Sequence, residues 1–169
     1  MYITINIERQ HLTLHKDNHE VCRQYAISSA KNGVGEKSGS EQTPRGKHII
    51  RAKIGTDLPI NTVFKARRPT GEIYSSTLAA QSPYRDWILT RILWLSGCEQ
   101  GKNRLGDCDT MRRYIYIHGT PDTEPMGIPA SHGCIRMRNS DLLDLFELVP
   151  VYTPVLISES DEKTSDSAN

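Results

Sequence analysis

Apolar and polar residues alternate from the first positions of the chain. Ile3, Ile5 and Ile7 interleave with Tyr2, Thr4 and Asn6, and after Glu8-Arg9-Gln10 the alternation resumes at Leu12 and Leu14. A period of two puts successive side chains on opposite faces of a strand, so this segment predicts an N-terminal β-hairpin. After a polar turn at Asp17-Asn18, the content of Val, Tyr and Ile between Val21 and Ala30 predicts a third strand. Further strands are expected at 48–54, 61–66, 87–95, 113–118 and 151–157. Between them, residues 32–47, NGVGEKSGSEQTPRGK, hold four glycines and one proline with hardly an apolar side chain. That composition predicts a long surface loop, of the kind that carries function in compact domains. Helical spacing is clearest near the C-terminal end. Asn139 or Ser140 is the expected N-cap, Asp141 falls in the first turn, and Leu142, Leu143, Leu145, Phe146 and Val149 follow before Pro150. A second, shorter helix is expected within 77–87. The fold class is therefore mainly β, a compact sandwich or barrel-like sheet with one or two short helices.

Length and composition narrow the class. At 169 residues the chain suits one domain, expected to occupy 1–157. Residues 158–169, SESDEKTSDSAN, carry four acids and one lysine and are expected to form a disordered acidic tail. A hydrophobic content of 37%, 24% charged residues and a mean hydropathy of -0.52 exclude collagen, coiled coil and integral membrane protein. Twenty-one Lys and Arg against twenty Asp and Glu give +1, so charge argues for neither a nucleic-acid nor a membrane partner. The tail contributes -3 of that total, which leaves +4 on 1–157, a balance that favours an acidic substrate. The alternating N-terminus reads as a strand rather than an export signal, and the expected location is the cytoplasm, or the periplasm if a leader precedes Met1.

The four cysteines, Cys22, Cys98, Cys108 and Cys134, are too few for a disulfide scaffold and are expected as free thiols. Cys22, Cys98 and Cys108 read as buried and inert. Cys98 and Cys108 bracket a polar loop and leave pairing or metal binding open, a weak signal without a second CxxC. His11, His15 and His19 recur every fourth residue and are expected to be solvated. Arg45, Lys47, Arg51, Lys53, Lys65, Arg67 and Arg68 cluster in sequence, either as solvated strand faces or as a basic patch. The glycines of 33–39 lack the Lys-Ser/Thr ending of a phosphate loop.

Candidate chemistry lies further on. Alternation through Tyr114-Ile115-Tyr116-Ile117-His118 puts Tyr114, Tyr116 and His118 on one sheet face, and Gly119 follows. A Pro-containing loop then leads to Ser131-His132-Gly133-Cys134-Ile135-Arg136. A strand-end histidine and a loop cysteine can meet across a cleft, where an imidazolium lowers a thiol pKa of about 8.5 toward the reactive thiolate. Gly133 permits a tight turn that frees backbone N–H groups for an oxyanion. The competing reading makes His118, His132 and Cys134 zinc ligands. A tyrosine-phosphatase loop fails, because the position six after Cys134 is Ser140.

The pattern His118-Gly119 followed by Ser131-His132-Gly133-Cys134-Ile135-Arg136 resembles the YkuD-like catalytic domain of L,D-transpeptidases. Tyr25-Ala26-Ile27-Ser28, Gly33-Val34-Gly35, Thr43-Pro44-Arg45-Gly46 and Arg91-Ile92-Leu93-Trp94 extend the resemblance upstream. It implies that Cys134 attacks the carbonyl following the L-centre of meso-diaminopimelate in a peptidoglycan tetrapeptide and expels D-alanine. His118 would be the base, the Gly119 carbonyl would orient it, and the N–H groups of Gly133 and Cys134 would hold the oxyanion. Arg136 would pair with a substrate carboxylate, with His132, Tyr116 and Ser131 also on the substrate side. No cofactor or metal is implied. Hydrolysis of soluble muropeptide, an L,D-carboxypeptidase activity, is favoured over 3-3 cross-linking, and a muropeptide-binding module without turnover is the alternative of a different class.

Overall fold

A computed structural model describes residues 1–161. Among these, ten strands and two helices follow one another: β1 Tyr2–Asn6, β2 His11–His15, β3 Val21–Ser28, β4 Gly46–Ile54, β5 Thr62–Lys65, β6 Arg68–Ile73, α1 Ser76–Gln81, β7 Ile88–Gly97, β8 Tyr116–Gly119, β9 Ile135–Met137, α2 Asn139–Leu148 and β10 Pro154–Ser158. The strands pair in the order β4-β10-β1-β2-β3-β9-β8-β7, and β7 pairs back onto β4, so these eight close into a barrel-like sheet. The hairpin of β5 and β6 branches from β7 through Val63 and Phe64. Most neighbours run antiparallel; β1 with β10 and β8 with β9 are the parallel pairs.

Closure follows from the alternation. Ile3 and Ile5 of β1, Leu12 and Leu14 of β2, Ile27 of β3, Leu93 and Leu95 of β7 and Ile117 of β8 are fully buried in one core. Period-two patterning sends all of these inward, and closing the sheet leaves only its branch with an unpaired edge. Leu142, Leu145 and Phe146 of α2 join the same core.

Several boundaries differ from the sequence expectation, each for a local reason. The strand expected at 113–118 starts only at Tyr116, because Tyr114 adopts a left-handed φ of 55° in the turn before it. The one expected at 151–157 starts at Pro154, after a turn in which Tyr152 has φ 68°. Helix α1 ends at Gln81 rather than near Trp87, since Ser82 precedes Pro83 and a residue before proline is disfavoured in the α region. Arg138, not Asn139 or Ser140, caps α2, and no side chain bonds its first turn because that of Asn139 is engaged elsewhere. The acidic tail begins later than Ser158, which belongs to β10; Glu159 pairs with Arg45 and Asp161 with Arg9, while 162–169 lie outside the described residues.

One buried polar group gives this fold a pH dependence. His48 of β4 is 1% exposed and lies between the Gly46 carbonyl at 2.9 Å and Thr110 Oγ1 at 2.9 Å. Burial pushes its pKa down to about 4. The folded state thus holds this imidazole neutral while the unfolded chain protonates it below the ordinary value of 6.5. Its contribution is neutral above that value and becomes destabilising as pH falls from 6.5 toward 4. Between pH 7 and 5.5 we expect His48 alone to cost about 1 kcal/mol, read as the part of the pH dependence of urea unfolding that His48→Gln removes. The same slope in both proteins would show that the buried imidazole is not its source.

Candidate active site

Parallel pairing of β8 with β9 aligns Ile117 with Ile135 and His118 with Arg136, so Cys134, one residue before β9, sits beside Tyr116. The Cys134 Sγ accepts from the Tyr116 N–H at 3.3 Å and donates to the Tyr114 carbonyl at 3.4 Å. His118, 2% exposed, is fixed through Nδ1, 2.6 Å from the Gly119 carbonyl. A carbonyl can only accept, so this contact sets the neutral tautomer with hydrogen on Nδ1 and a lone pair on Nε2. Nε2 has no partner among the described residues. Both side chains line one open cleft of about 440 Å³, together with Arg67, Asp86, Arg113 and Arg136.

The cysteine turn is held from below. Gly133 has φ 134°, a backbone conformation that calls for glycine, and a Cβ there would also crowd Ile115 Cδ1 at 3.3 Å. Thr43 Oγ1 donates to the Gly133 carbonyl at 2.9 Å and accepts from the Ala30 N–H at 3.0 Å, tying the long 32–47 loop to the turn. Ser131 Oγ donates to the Cys134 carbonyl at 2.6 Å and accepts from the Gly133 N–H at 3.2 Å. Ser131 therefore braces the turn, and it also lines the cleft. Because Gly133 N–H is occupied, the expected pair of oxyanion donors is reduced to the Cys134 N–H, which has no acceptor among the described residues.

The histidine is braced through Gly119. A Cβ at this position would come 2.1 Å from Asn139 Oδ1 and 2.6 Å from the Leu89 carbonyl, so only glycine lets the strand approach this closely. Asn139 accepts from Thr90 Oγ1 at 2.7 Å and donates to the Thr120 carbonyl at 3.0 Å and Asn61 Oδ1 at 3.2 Å. Thr90, at φ 74°, is a β-branched residue in the left-handed region, where β7 shifts register against β8. Network and bulge together seat the end of β8 that carries His118.

Arg136 is differently placed from the sequence expectation. Its side chain is only 8% exposed; Nη2 lies 3.0 Å from Asp86 and Nη1 3.4 Å from Glu124 and 3.2 Å from the Ala130 carbonyl. A guanidinium already balanced by two carboxylates has little left for a third. His132 is exposed at the rim, 3.4 Å from the same Asp86. Tyr116 lines the cleft, its hydroxyl accepting from Arg67 at 3.1 Å. With His132 turned to Asp86 and His118 Nδ1 on a carbonyl, no group of three His, Cys, Asp or Glu side chains converges as metal ligands among the described residues.

Asp86, Arg67, Arg113, Thr43 and Asn139 carry much of the site and were not singled out as site residues from sequence. Asn139 gave a signal, as a cap candidate; Asp86 gave none. The other cysteines are free, but Cys98 is exposed and Cys22 and Cys108 half-buried, not buried as expected. His15 and His19 are not simply solvated either, since the Tyr2 ring stacks on His15 at 4.6 Å and its hydroxyl meets His19 at 2.7 Å. The basic cluster disperses: Arg45 pairs with Glu36, Lys53 reaches the Phe146 carbonyl, and Arg67 enters the cleft.

The class is set by a closed β-sheet from which a thiol and an imidazole open into one cleft. Comparison with known proteins makes this particular. The model of the YkuD family, described as the L,D-transpeptidase catalytic domain, matches residues 1–157, and the chain belongs to this family. The putative L,D-transpeptidase YqjB of Bacillus subtilis is 42% identical over 167 residues, covering 99% of this chain and 76% of that protein. Among solved structures, an L,D-transpeptidase from Mycobacterium smegmatis aligns with a TM-score of 0.55 at 19% identity, over 93% of this chain and 58% of that one. LdtMt1 in complex with imipenem aligns at 0.56 and 21%, over 93% and 58%. At such identities the two structures speak for the fold alone, and the chain spans little more than half their length.

The electrostatics reverse one expectation. Instead of an imidazolium lowering the thiol, burial pushes the Cys134 thiol up to about 12, opposed by the Tyr116 N–H, and burial pushes His118 down. Both groups rest neutral at pH 7. A raised thiol pKa means the thiolate fraction keeps growing tenfold per pH unit until that pKa is reached. We expect iodoacetamide alkylation of Cys134 in the free protein to rise about a hundredfold from pH 7 to 9, followed by mass spectrometry. A plateau between pH 6 and 8 would instead reveal a preformed ion pair.

Proposed function

We propose that the chain acts as a cysteine-dependent L,D-carboxypeptidase, removing the terminal D-alanine from peptidoglycan stem tetrapeptides through an acyl-enzyme. The observation that carries this reading is a free thiol and an Nδ1-anchored imidazole with an unoccupied Nε2 in one cleft. When a peptide carbonyl is bound, Nε2 takes the Sγ proton as sulfur bonds to the carbonyl carbon. The oxygen gathers negative charge against the Cys134 N–H. Collapse breaks the C–N bond, the imidazolium protonates the departing amine, and D-alanine leaves a thioester. Water, deprotonated by the same Nε2, then attacks the thioester, releasing the tripeptide acid and the thiol. Proton transfer to a neutral base only as substrate binds suits a resting pair in which neither partner is charged.

Water acts at roughly 55 M, whereas an amine acceptor must be held in place to compete. Soluble turnover peptide is the substrate that matches this acceptor, and the cytoplasm, to which such peptide returns, is the matching location. A second reading, L,D-transpeptidation to 3-3 cross-links, is favoured by a groove of about 310 Å³ that adjoins the cleft and shares Arg113, Tyr114, Ile115 and His132 with it.

Purified protein given disaccharide tetrapeptide is expected to yield tripeptide and free D-alanine with little dimer. Cys134→Ala should abolish release, iodoacetamide should stop it, EDTA should not, and imipenem should add its mass to the wild-type chain but not to Cys134→Ala. Predominant 3-3 dimer at millimolar substrate would establish the second reading. Zinc-restorable loss with EDTA would overturn the thiol mechanism, and tight binding without any acyl-enzyme would leave a binding module.

A further inference from the structure

The cations lining the cleft are not equally free. Arg136 is matched by Asp86 and Glu124, and Arg113 is committed to the Gly35 and Gln42 carbonyls and Ser40 Oγ. Arg67 stands apart, since no carboxylate among the described residues pairs with it. One Nη donates to the Tyr116 hydroxyl at 3.1 Å, and the guanidinium carbon lies over the rings of Trp94 and Tyr114, 4.5 and 4.7 Å from their centroids. Rings against the faces of a guanidinium fix its plane without using its donors, which all point within that plane. With one of five N–H groups spent on a phenol, the rest of the fork is available for the two oxygens of a carboxylate.

The backbone is strained to put it there. Ala66 and Arg67, at φ 47° and 63°, form the two-residue turn joining β5 to β6, a turn usually made by Asn and Gly. Non-glycine residues in the left-handed region persist where surrounding contacts over-determine them, and here those contacts are the two rings and the phenol. The phenol belongs to Tyr116, whose N–H touches Cys134 Sγ, so the free cation is tethered to the residue beside the nucleophile.

We propose that Arg67 is the carboxylate anchor for the acyl-donor peptide, binding one of its carboxylates bidentately while the carbonyl lies at Cys134. This rests on the function proposed above and assigns Arg67 the substrate contact that Arg136, already paired, is not free to make. The β5–β6 hairpin thereby becomes part of the substrate site.

Calorimetric binding to the Cys134→Ala protein tests the anchor without turnover. The ligands are the stem tetrapeptide and analogues in which each carboxylate in turn is replaced by an amide. One amide should bind about tenfold or more weakly than the free acid. Arg67→Gln should weaken the free acid by a similar factor and weaken that amide no further, while Arg67→Lys should recover part of the loss and Arg51→Gln, remote from the cleft lining, should change nothing. The amide that responds identifies the carboxylate. Binding by Arg67→Gln within about twofold of its parent, additive losses for every amide, or no binding of the tetrapeptide would each overturn the proposal. If binding depends on Arg67 yet the Cys134 protein releases no D-alanine, the anchor stands and the proposed reaction fails.

Discussion

Two strands that run in the same direction cannot be joined by a tight turn, and the geometry of the cleft follows from that restriction. The chain leaves β8 at Gly119, crosses through a long connection and re-enters beside it at Ile135, travelling the same way. Every residue near the start of β9 is thus brought level with a defined residue of β8, and Cys134 falls beside Tyr116, with His118 further along the neighbouring strand. The fifteen residues from Thr120 to Cys134 are the crossover itself. Closing the eight-stranded sheet keeps this pair from sliding, because a slip of one residue would turn buried Ile117, Ile135 and Met137 out of the core.

Charge in the cleft is arranged around that pair rather than on it. Asp86 bridges Arg136 and His132, Glu124 completes the balance on Arg136, and Arg67 lines the same cleft with no carboxylate partner among the described residues. Desolvation favours the uncharged forms of both, the half-buried Cys134 thiol and the 2% exposed His118 imidazole. Such a site does not hold a standing thiolate. In the reaction proposed for it, one proton passes from the thiol to the imidazole only when a carbonyl arrives, and the proposed anchor Arg67 takes no part in that transfer.

Much of this was legible in the chain. The alternation of Ile3, Ile5, Leu12 and Leu14 marked β1 and β2 because those side chains face the core, and a strand-end His118 and a loop Cys134 opening to one cleft were foreshadowed by their placement in the pattern. What escaped depended on distant partners or weak local pattern. β6, RPTGEI, holds proline and glycine at a sheet edge and is mostly exposed, and β9 has three residues, too few to show a period. Arg136 looked like a substrate ligand because nothing in sequence shows Asp86, fifty residues away, neutralising it. Nor does composition show that burial outweighs the Tyr116 N–H and the Arg136 and Arg113 cations at the Cys134 thiol.

The neutral resting pair is the centre of this account, and the protonation of His118 tests it most directly. Nitrogen-15 chemical shifts of the His118 ring, assigned by comparison with His118→Gln, should report a neutral imidazole with hydrogen on Nδ1 from pH 7.5 down to 6, unchanged in Cys134→Ser. An imidazolium at pH 7 that disappears in Cys134→Ser would contradict it, establishing a thiolate–imidazolium pair in the resting protein.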